Sequence, residues 1–184
     1  MRRMLCIGAL LALVCGCAST TVVREEPENA SLAEALLANV KGTMVQRVSG
    51  AWKDEAFSAE CVIKGDGERL TAVLLSPQMR LATLTVEPPH TIRWERVPQL
   101  PSAIDPELVM FDLALVCLST HALEKALPAS YRVDETPDGK RRRVVDAAHG
   151  KLHSVRQVLP DGDVYFRNAL YGYEFTVKTM SYEN

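Results

Sequence analysis

Alternation of apolar and polar side chains constrains the fold of this chain more than any other feature of its sequence. In one run the apolar positions are Phe57, Ala59, Cys61 and Ile63, and most of the positions between them are polar. Successive side chains of a β-strand point to opposite faces, so this pattern predicts a strand with one buried face. The period of two continues over the region from Thr43 to Val97.

Short turns divide this region into several strands. The alternating runs 57–63, 69–75, 80–86 and 91–97 are separated by Gly65-Asp66-Gly67, Ser76-Pro77-Gln78 and Glu87-Pro88-Pro89-His90. Gly, Pro, Asp and Ser favour turns because they permit or preset the backbone angles that turns require. The sequence therefore predicts an antiparallel meander that ends at Pro98.

A helix is predicted before this meander. Ser31 and Glu34 have the spacing of a capping box, in which each side chain satisfies a free amide of the first turn. The apolar residues that follow recur at intervals of three and four, and they are Leu32, Ala33, Leu36, Leu37 and Val40. We expect the helix to start at Ser31, to bury this stripe, and to stop at Gly42.

Two more helices are predicted after the meander. Asp105 followed by Pro106 is a favourable helix start, and residues 108–118 are apolar at every position except Asp112. Ser119 is a second helix cap, which introduces an amphipathic run over 121–127 that stops at Pro128. A helix that is apolar nearly all round must be covered on nearly all sides, so this pair belongs in the interior.

Strand patterns resume at Tyr131 and continue to the C-terminus. Turns at 137–139, 149–150 and 160–162 divide them, and residues 171–181 place Tyr173, Phe175 and Val177 on one face. The order is one helix, about five strands, two helices and about five strands. This order predicts a mainly β, α+β domain in which a curved antiparallel sheet wraps around a central helical pair.

The first residues have the pattern of a secretory signal. Met1-Arg2-Arg3 is basic, residues 5–14 are apolar, and small residues precede Cys17. An apolar run of about ten residues is too short to span a bilayer as a helix. Val14-Cys15-Gly16-Cys17 resembles a bacterial lipobox, which implies that residues 1–16 are removed and that Cys17 is lipidated. The alternative is plain secretion, with Cys17 as an ordinary residue.

The residues after Cys17 indicate where such a lipoprotein would go. Ala18 and Ser19 stand where an aspartate usually marks inner-membrane retention, so the resemblance implies an outer-membrane anchor facing the periplasm. Residues 18–30 show no periodicity and carry Pro27 among three glutamates, which is typical of a solvated tether. The predicted organisation is a signal over 1–16, a lipidated cysteine and tether over 17–30, and one domain over 31–184.

The charge balance excludes one class of partner. The 184 residues contain 21 Lys and Arg against 23 Asp and Glu, so no overall positive field attracts nucleic acid. The length suits one domain, and we expect a monomer that binds no nucleic acid and contacts the membrane through its lipid anchor.

Several motifs resemble known families. Four segments are similar to an uncharacterised family of outer-membrane lipoproteins encoded near aryl-polyene and fatty-acid-type synthases. They are Gly67-Glu68-Arg69-Leu70-Thr71, residues 75–81, Leu127-Pro128 and residues 171–179. The whole organisation resembles the lipoprotein-localisation proteins LolA and LolB. The similarity to the uncharacterised family covers residues 43–183. The resemblance to LolA and LolB implies an unclosed β-barrel, with helices across its mouth and an apolar cavity for acyl chains. The hairpin 87–90 lacks the large apolar tip residue by which LolB-type proteins touch the membrane.

Five inward positions are predicted to contact cargo, and they are Phe57, Leu74, Leu84, Trp94 and Phe175. The alternative is that these side chains simply fill the core. Cys61 and Cys117 both lie in apolar patterns and form a possible disulfide in an oxidising compartment, although buried free thiols fit the same patterns.

No catalytic or metal site and no cofactor is predicted. Ser119-Thr120-His121 has the residue types of a hydrolase but fits a helix cap better. His149 and His153 flank a predicted hairpin turn, where a spacing of four does not bring two ligands together. Asp112 is either a carboxylate of raised pKa in a cavity or the hydrogen-bonded edge of its helix.

The run Lys140-Arg141-Arg142-Arg143 is the densest charge in the chain. It is either a solvated hairpin rim, which we favour, or a contact for anionic head groups or an acidic carrier.

The leading functional hypothesis is a non-enzymatic, membrane-tethered carrier or acceptor that shields acyl or polyene lipid, or lipoprotein cargo, in an apolar cavity. The alternative is a scaffold lipoprotein with a filled core that assists a synthase or transporter. A third hypothesis is an acyl hydrolase, which requires a buried His with a carboxylate and a serine.

Overall fold

The computed structural model describes residues 19–24, 30–52, 55–100 and 104–183. Within these residues the chain forms eleven strands and three helices. The strands are β1 Thr20–Arg24, β2 Gly42–Trp52, β3 Glu55–Gly65, β4 Leu70–Leu75, β5 Arg80–Glu87, β6 Thr91–Arg96, β7 Tyr131–Glu135, β8 Arg141–Asp146, β9 Leu152–Val158, β10 Val164–Asn168 and β11 Tyr173–Glu183. The helices are α1 Ala30–Asn39, α2 Pro106–Cys117 and α3 Thr120–Ala126.

All eleven strands belong to one antiparallel sheet with the order β1-β6-β5-β4-β3-β2-β11-β10-β9-β8-β7. The two predicted meanders, β2–β6 and β7–β11, meet where β2 pairs with β11. Gly50 of β2 permits this close approach, since a Cβ there would lie 2.2 Å from the Glu174 carbonyl oxygen. The sheet is not closed, because β1 and β7 are its two ends. The predicted fold class is confirmed.

The sheet curves around α2. The ring of Phe111 on α2 lies 6.4 Å from that of Tyr131 on β7 and 4.5 Å from that of His153 on β9. The backbone of α2 also lies close to α1 and to the strands β5 and β6. These two strands are near the β1 end of the sheet, opposite the β7 end. One helix that contacts strands from both ends of an open sheet requires the sheet to wrap around it.

The core lies between the three helices and the inner face of the sheet. Residues at alternate positions of the strands supply the sheet side of the core, including Ala82, Leu84 and Val86 of β5. The predicted stripe of α1 is buried as expected, and it consists of Leu32, Ala33, Leu36, Leu37 and Val40.

The helix caps are confirmed for two of the three helices. Asp105 Oδ1 accepts a hydrogen bond from the Leu108 amide over 2.9 Å, and Ser119 Oγ accepts one from the Ala122 amide over 3.3 Å. The predicted start of α1 at Ser31 is wrong, because Ala30 is already helical and Ser31 is therefore not the capping residue. The Glu34 carboxylate lies 3.4 Å from His90 Nδ1.

The predicted tether contains a strand. Thr20–Arg24 form β1, which pairs with β6 and covers one end of the sheet, so this part of the expected solvated segment is structured. Two threonines followed by two valines favour an extended backbone, and the edge of β6 offers them unpaired hydrogen-bonding groups.

No helix among the described residues is both long enough and apolar enough to cross a membrane. The predicted signal over 1–16 and the predicted lipidation site Cys17 lie outside the described residues.

Candidate functional site

An apolar cavity of about 180 Å³ lies between α2 and the strands β2, β3, β4 and β11. The sheet contributes Gln46, Val48, Phe57, Cys61, Leu74, Tyr173, Phe175 and Val177. The helix side contributes Ile104, Leu108, Val109, Asp112, Leu113 and Val116. The cavity is therefore a gap between one face of α2 and the centre of the sheet, where the two meanders join.

The all-round apolar character of α2 explains why this gap has apolar walls. One face of α2 is packed into the core through Met110, Phe111, Ala114 and Leu115. The positions between them, which include Leu108, Leu113 and Val116, are only partly buried and face the cavity. A globular helix usually has a polar face opposite its buried stripe, so the apolar second face of α2 is the sequence signal for this cavity.

The five predicted cargo-contact residues fall into two groups. Phe57, Leu74 and Phe175 line the cavity, and Phe57 is 39% exposed at its rim. Leu84 and Trp94 point inwards as predicted, but they are 0% and 3% exposed in the packed core and do not line the cavity. For these two residues the alternative that they fill the core is the correct one, because helices cover this part of the sheet directly.

A row of stacked aromatic rings supports the β11 side of the cavity. Phe175 stacks on the fully buried Phe166 with ring centres 4.6 Å apart. Tyr173 lies on the other side of Phe175, 6.1 Å away and nearly parallel to it. This stacking holds two large lining side chains in fixed orientations.

Asp112 is the acidic side chain in the cavity wall, and Tyr173 holds one of its two oxygens. The Tyr173 hydroxyl donates a hydrogen bond to Asp112 Oδ2, and the Asn168 amide donates to that hydroxyl over 3.2 Å. The other carboxylate oxygen, Oδ1, is buried and has no hydrogen-bond partner among the described residues. Asp112 thus fits both predictions made for it, since it lies in a cavity and is hydrogen-bonded.

Burial raises the pKa of Asp112 from 3.8 to about 7, because the ionised carboxylate loses its hydration in an apolar site. The hydrogen bond from Tyr173 and the nearby Asn168 amide stabilise the ionised form and partly oppose this rise. Burial also raises the pKa of the Tyr173 hydroxyl, and the neighbouring carboxylate of Asp112 raises it further. The carboxyl group therefore gains or loses its proton near neutral pH.

Cys61 lies in the cavity wall on β3, and Cys117 lies at the end of α2. Both thiols are free in this structure. Burial raises the pKa of Cys61 to about 12, and the proximity of Cys117 adds to this rise. Burial likewise raises the pKa of Cys117 to about 11. The structure thus shows two neighbouring free thiols, and burial disfavours the thiolate form of each.

The remaining candidates for chemistry are separated from each other. Ser119 caps α3, and His121 is exposed on that helix. His149 is exposed and lies 3.0 Å from Asp146, whereas His153 is half-buried, and burial lowers its pKa. The described residues contain no group of three or more side chains positioned to hold a metal ion.

The basic run 140–143 is divided between the surface and the interior. Lys140, Arg141 and Arg143 are exposed, as the solvated-rim interpretation predicts. Arg142 is 5% exposed, and its guanidinium donates hydrogen bonds to the carbonyl oxygens of Leu118 over 2.7 Å and Leu115 over 3.4 Å. The rim interpretation is therefore wrong for Arg142, which binds free carbonyls at the C-terminal end of α2.

A family comparison covers most of the chain. The family model described as a protein of unknown function, DUF3261, matches residues 43–181. The chain belongs to the DUF3261 family. The matched region includes every sheet residue that lines the cavity and all of α2, so the cavity lies within the DUF3261 domain. No curated protein matches the chain.

Three solved structures are similar to this DUF3261 protein at low identity. A putative outer membrane lipoprotein-sorting protein domain from Vibrio parahaemolyticus is 10% identical, with a TM-score of 0.39 over 85% of this chain and 92% of that one. A LolA superfamily protein from Nitrosomonas europaea is 10% identical, with a TM-score of 0.36 over 85% and 93%. A DUF1329 family protein from Desulfovibrio piger is 8% identical, with a TM-score of 0.38 over 84% and 92%.

Proposed function

We propose that this DUF3261 protein is a carrier or acceptor that binds one acyl or polyene chain in the cavity between α2 and the sheet. The observation that carries this proposal is the cavity wall, in which eleven of the fourteen lining side chains from the described part of the chain are those of Val, Leu, Ile, Phe and Cys. Removing apolar surface from water stabilises a bound chain by about 25 cal/mol per Å². Binding of this kind needs no covalent step.

The size of the cavity limits what it holds in this conformation. At about 180 Å³ it is slightly larger than the ~150 Å³ apolar cavities that bind benzene. Pockets for whole drug-sized ligands measure roughly 300–1,000 Å³. The cavity therefore accepts a segment of about six carbons from one chain, and a longer chain requires α2 to move away from the sheet.

The packing of α2 is compatible with such a movement. Its backbone lies closest to α1, β5 and β6, and the hydrogen bond from Tyr173 to Asp112 joins it to β11. On the side of β2 and β3 the cavity separates it from the sheet. A displacement of α2 on that side enlarges an existing gap and leaves its packing against α1 in place. A chain that occupies the enlarged gap stabilises the open arrangement by mass action.

We also propose that Cys17 carries a lipid anchor in the outer membrane. Cys17 precedes the first residue of β1 by three positions, so the anchor would lie within about 10 Å of that end of the sheet. The domain would then sit directly on the membrane surface rather than at the end of a long tether. Metabolic labelling with an alkynyl palmitate analogue tests this: we expect the wild-type chain to be labelled and Cys17→Ser to be unlabelled.

Fluorescent fatty-acid binding to the full chain tests the cavity proposal. Leu74→Trp fills the cavity from β4, and we expect it to weaken binding at least tenfold. Val73→Trp is the matched control, because residue 73 is on the opposite face of the same strand, and we expect its affinity to remain within about twofold. Thermal unfolding of both variants confirms that they are folded. Absence of binding by the wild-type chain would favour the scaffold alternative.

A further inference from the structure

The wall of the cavity contains one polar atom whose hydrogen-bonding capacity is not used by the protein. Asp112 Oδ1 is buried, and none of the described residues donates a hydrogen bond to it. A buried acceptor without a donor is costly, and native proteins rarely leave a carboxylate oxygen in this state unless a ligand or function requires it. This atom therefore points to a ligand group at this position of the cavity.

The neighbours of Asp112 fix which of its oxygens is available. Tyr173 donates to Oδ2, and Asn168 in turn donates to the Tyr173 hydroxyl. This chain of hydrogen bonds orients the carboxyl group from the β10–β11 side and leaves Oδ1 as the remaining acceptor. Asp112 is itself a lining residue with Oδ1 buried, so a small shift of its side chain or of α2 brings this atom into contact with the cavity.

The other lining residues exclude one kind of ligand end. No Lys, Arg or His is among the described residues that line the cavity. A free carboxylate placed there would lose its hydration without meeting a positive charge, and it would face the carboxyl group of Asp112. The cavity is thus unsuited to the ionised end of a fatty acid and suited to a neutral end that donates a hydrogen bond.

We propose that the cavity selects an apolar chain bearing a hydroxyl group and that this hydroxyl donates to Asp112 Oδ1. The inference rests on the proposed function, since it assumes that the cavity binds a chain. It adds a specificity: the apolar walls bind the carbon atoms, and Asp112 determines the position and chemistry of the polar atom. The same arrangement makes Asp112 a ligand-binding residue and Tyr173 a positioning residue.

A pair of isomers tests this specificity on the full chain. Linear hexanol and methoxypentane contain the same atoms and fit the cavity equally, but only hexanol donates a hydrogen bond. Both compete against the fluorescent fatty acid at pH 8, where Asp112 is mainly ionised and can only accept a hydrogen bond. We expect hexanol to bind the wild-type chain at least tenfold more tightly than methoxypentane, although the ether is the more hydrophobic isomer. We expect hexanoate at pH 8 to compete more weakly than either.

Variants of Asp112 and Tyr173 separate the two roles. Asp112→Leu should reverse the preference in favour of methoxypentane, because it replaces the acceptor with an apolar group of similar size. Tyr173→Phe leaves Oδ1 in place and should reduce the preference for hexanol without reversing it. If Asp112→Leu does not fold, the ratio of the two isomers on the wild-type chain decides the question alone.

The outcomes of this experiment distinguish the inference from the proposed function. If the fluorescent fatty acid and both isomers fail to bind, the proposed function is wrong, and the inference falls with it. If both isomers bind equally, or if methoxypentane binds more tightly, the cavity binds apolar chains but Asp112 does not select a hydroxyl group, and the inference alone is overturned.

Discussion

The guanidinium of Arg24 lies 2.5 Å from the carboxylate of Glu107. This ion pair joins strand β1 to the first turn of α2. The Glu107 side chain is only 10% exposed, and an acidic group in a first turn also interacts favourably with the helix dipole. The pair connects the segment nearest the proposed anchor to the helix that forms one wall of the cavity.

Removing Arg24 should therefore destabilise the domain. Arg24→Ala removes the cation that lies beside the nearly buried Glu107 carboxylate, and we expect a loss of about 1–2 kcal/mol in the free energy of unfolding, since Arg24 is partly exposed. Urea denaturation measures this loss. The matched control is Arg47→Ala, which breaks an exposed 3.9 Å pair with Glu60 and should cost less than about 0.5 kcal/mol. Equal losses for the two variants would show that the Arg24 pair has no special role.

Arg142 should be more important for stability than the other arginines of its run. Its guanidinium binds the Leu115 and Leu118 carbonyl oxygens and lies 3.3 Å from Glu135 Oε1. Arg142→Ala removes the donor of the two buried carbonyl oxygens and the cation beside Glu135, so we expect a loss of about 3 kcal/mol by urea denaturation. Arg143→Ala removes an exposed side chain from the same strand and should change stability by less than about 0.5 kcal/mol. A small loss for Arg142→Ala would contradict its assigned role at the end of α2.

Asp112 should make the stability of the domain depend on pH. Its pKa rises from 3.8 to about 7 on folding, so the folded state binds more protons than the unfolded state between these values. Stability contributed by the protonated group is therefore lost as pH rises through this window. In the wild-type chain we expect the free energy of unfolding to fall by on the order of 2–4 kcal/mol between pH 4 and pH 8 because of Asp112. In Asp112→Asn this fall should be absent. Parallel pH profiles for the two proteins would show that Asp112 does not titrate in this range.

The thiols of Cys61 and Cys117 should be free and slow to react. Because burial raises both pKa values, little thiolate is present at pH 8, and we expect alkylation in the folded state to be at least about 100-fold slower than after denaturation. Peptide mapping by mass spectrometry should find both residues labelled after denaturation without a reductant. Labelling that requires a reductant would instead show a disulfide.

The sequence was sufficient to predict most of the secondary structure, since local patterns carry the information. Alternation in residues such as Ala59, Cys61 and Ile63 determines which face of β3 is buried, and Asp105 and Ser119 mark helix starts by their own side-chain hydrogen bonds. The start of α1 was predicted one residue late, because Ser31 fits a cap but the helix extends to Ala30.

Features that depend on tertiary contacts could not be predicted in this way. Thr20–Arg24 form a strand because β6 provides an edge, and Arg142 turns inwards because α2 ends beside it. Similarly, Leu84 and Leu74 both point inwards, but only the position of α2 decides that Leu84 is core and that Leu74 lines the cavity. Alternation defines a buried face without showing which part of that face remains uncovered.

Photo-crosslinking with a fatty acid that carries a diazirine in its chain tests the central claim most directly. If the cavity binds a chain, crosslinks to the full protein should map to α2 around Leu108 and Leu113 and to β11 around Phe175, and Leu74→Trp should abolish them. The claim would be contradicted by crosslinks confined to exposed apolar residues such as Leu170 and Tyr171 and unaffected by Leu74→Trp.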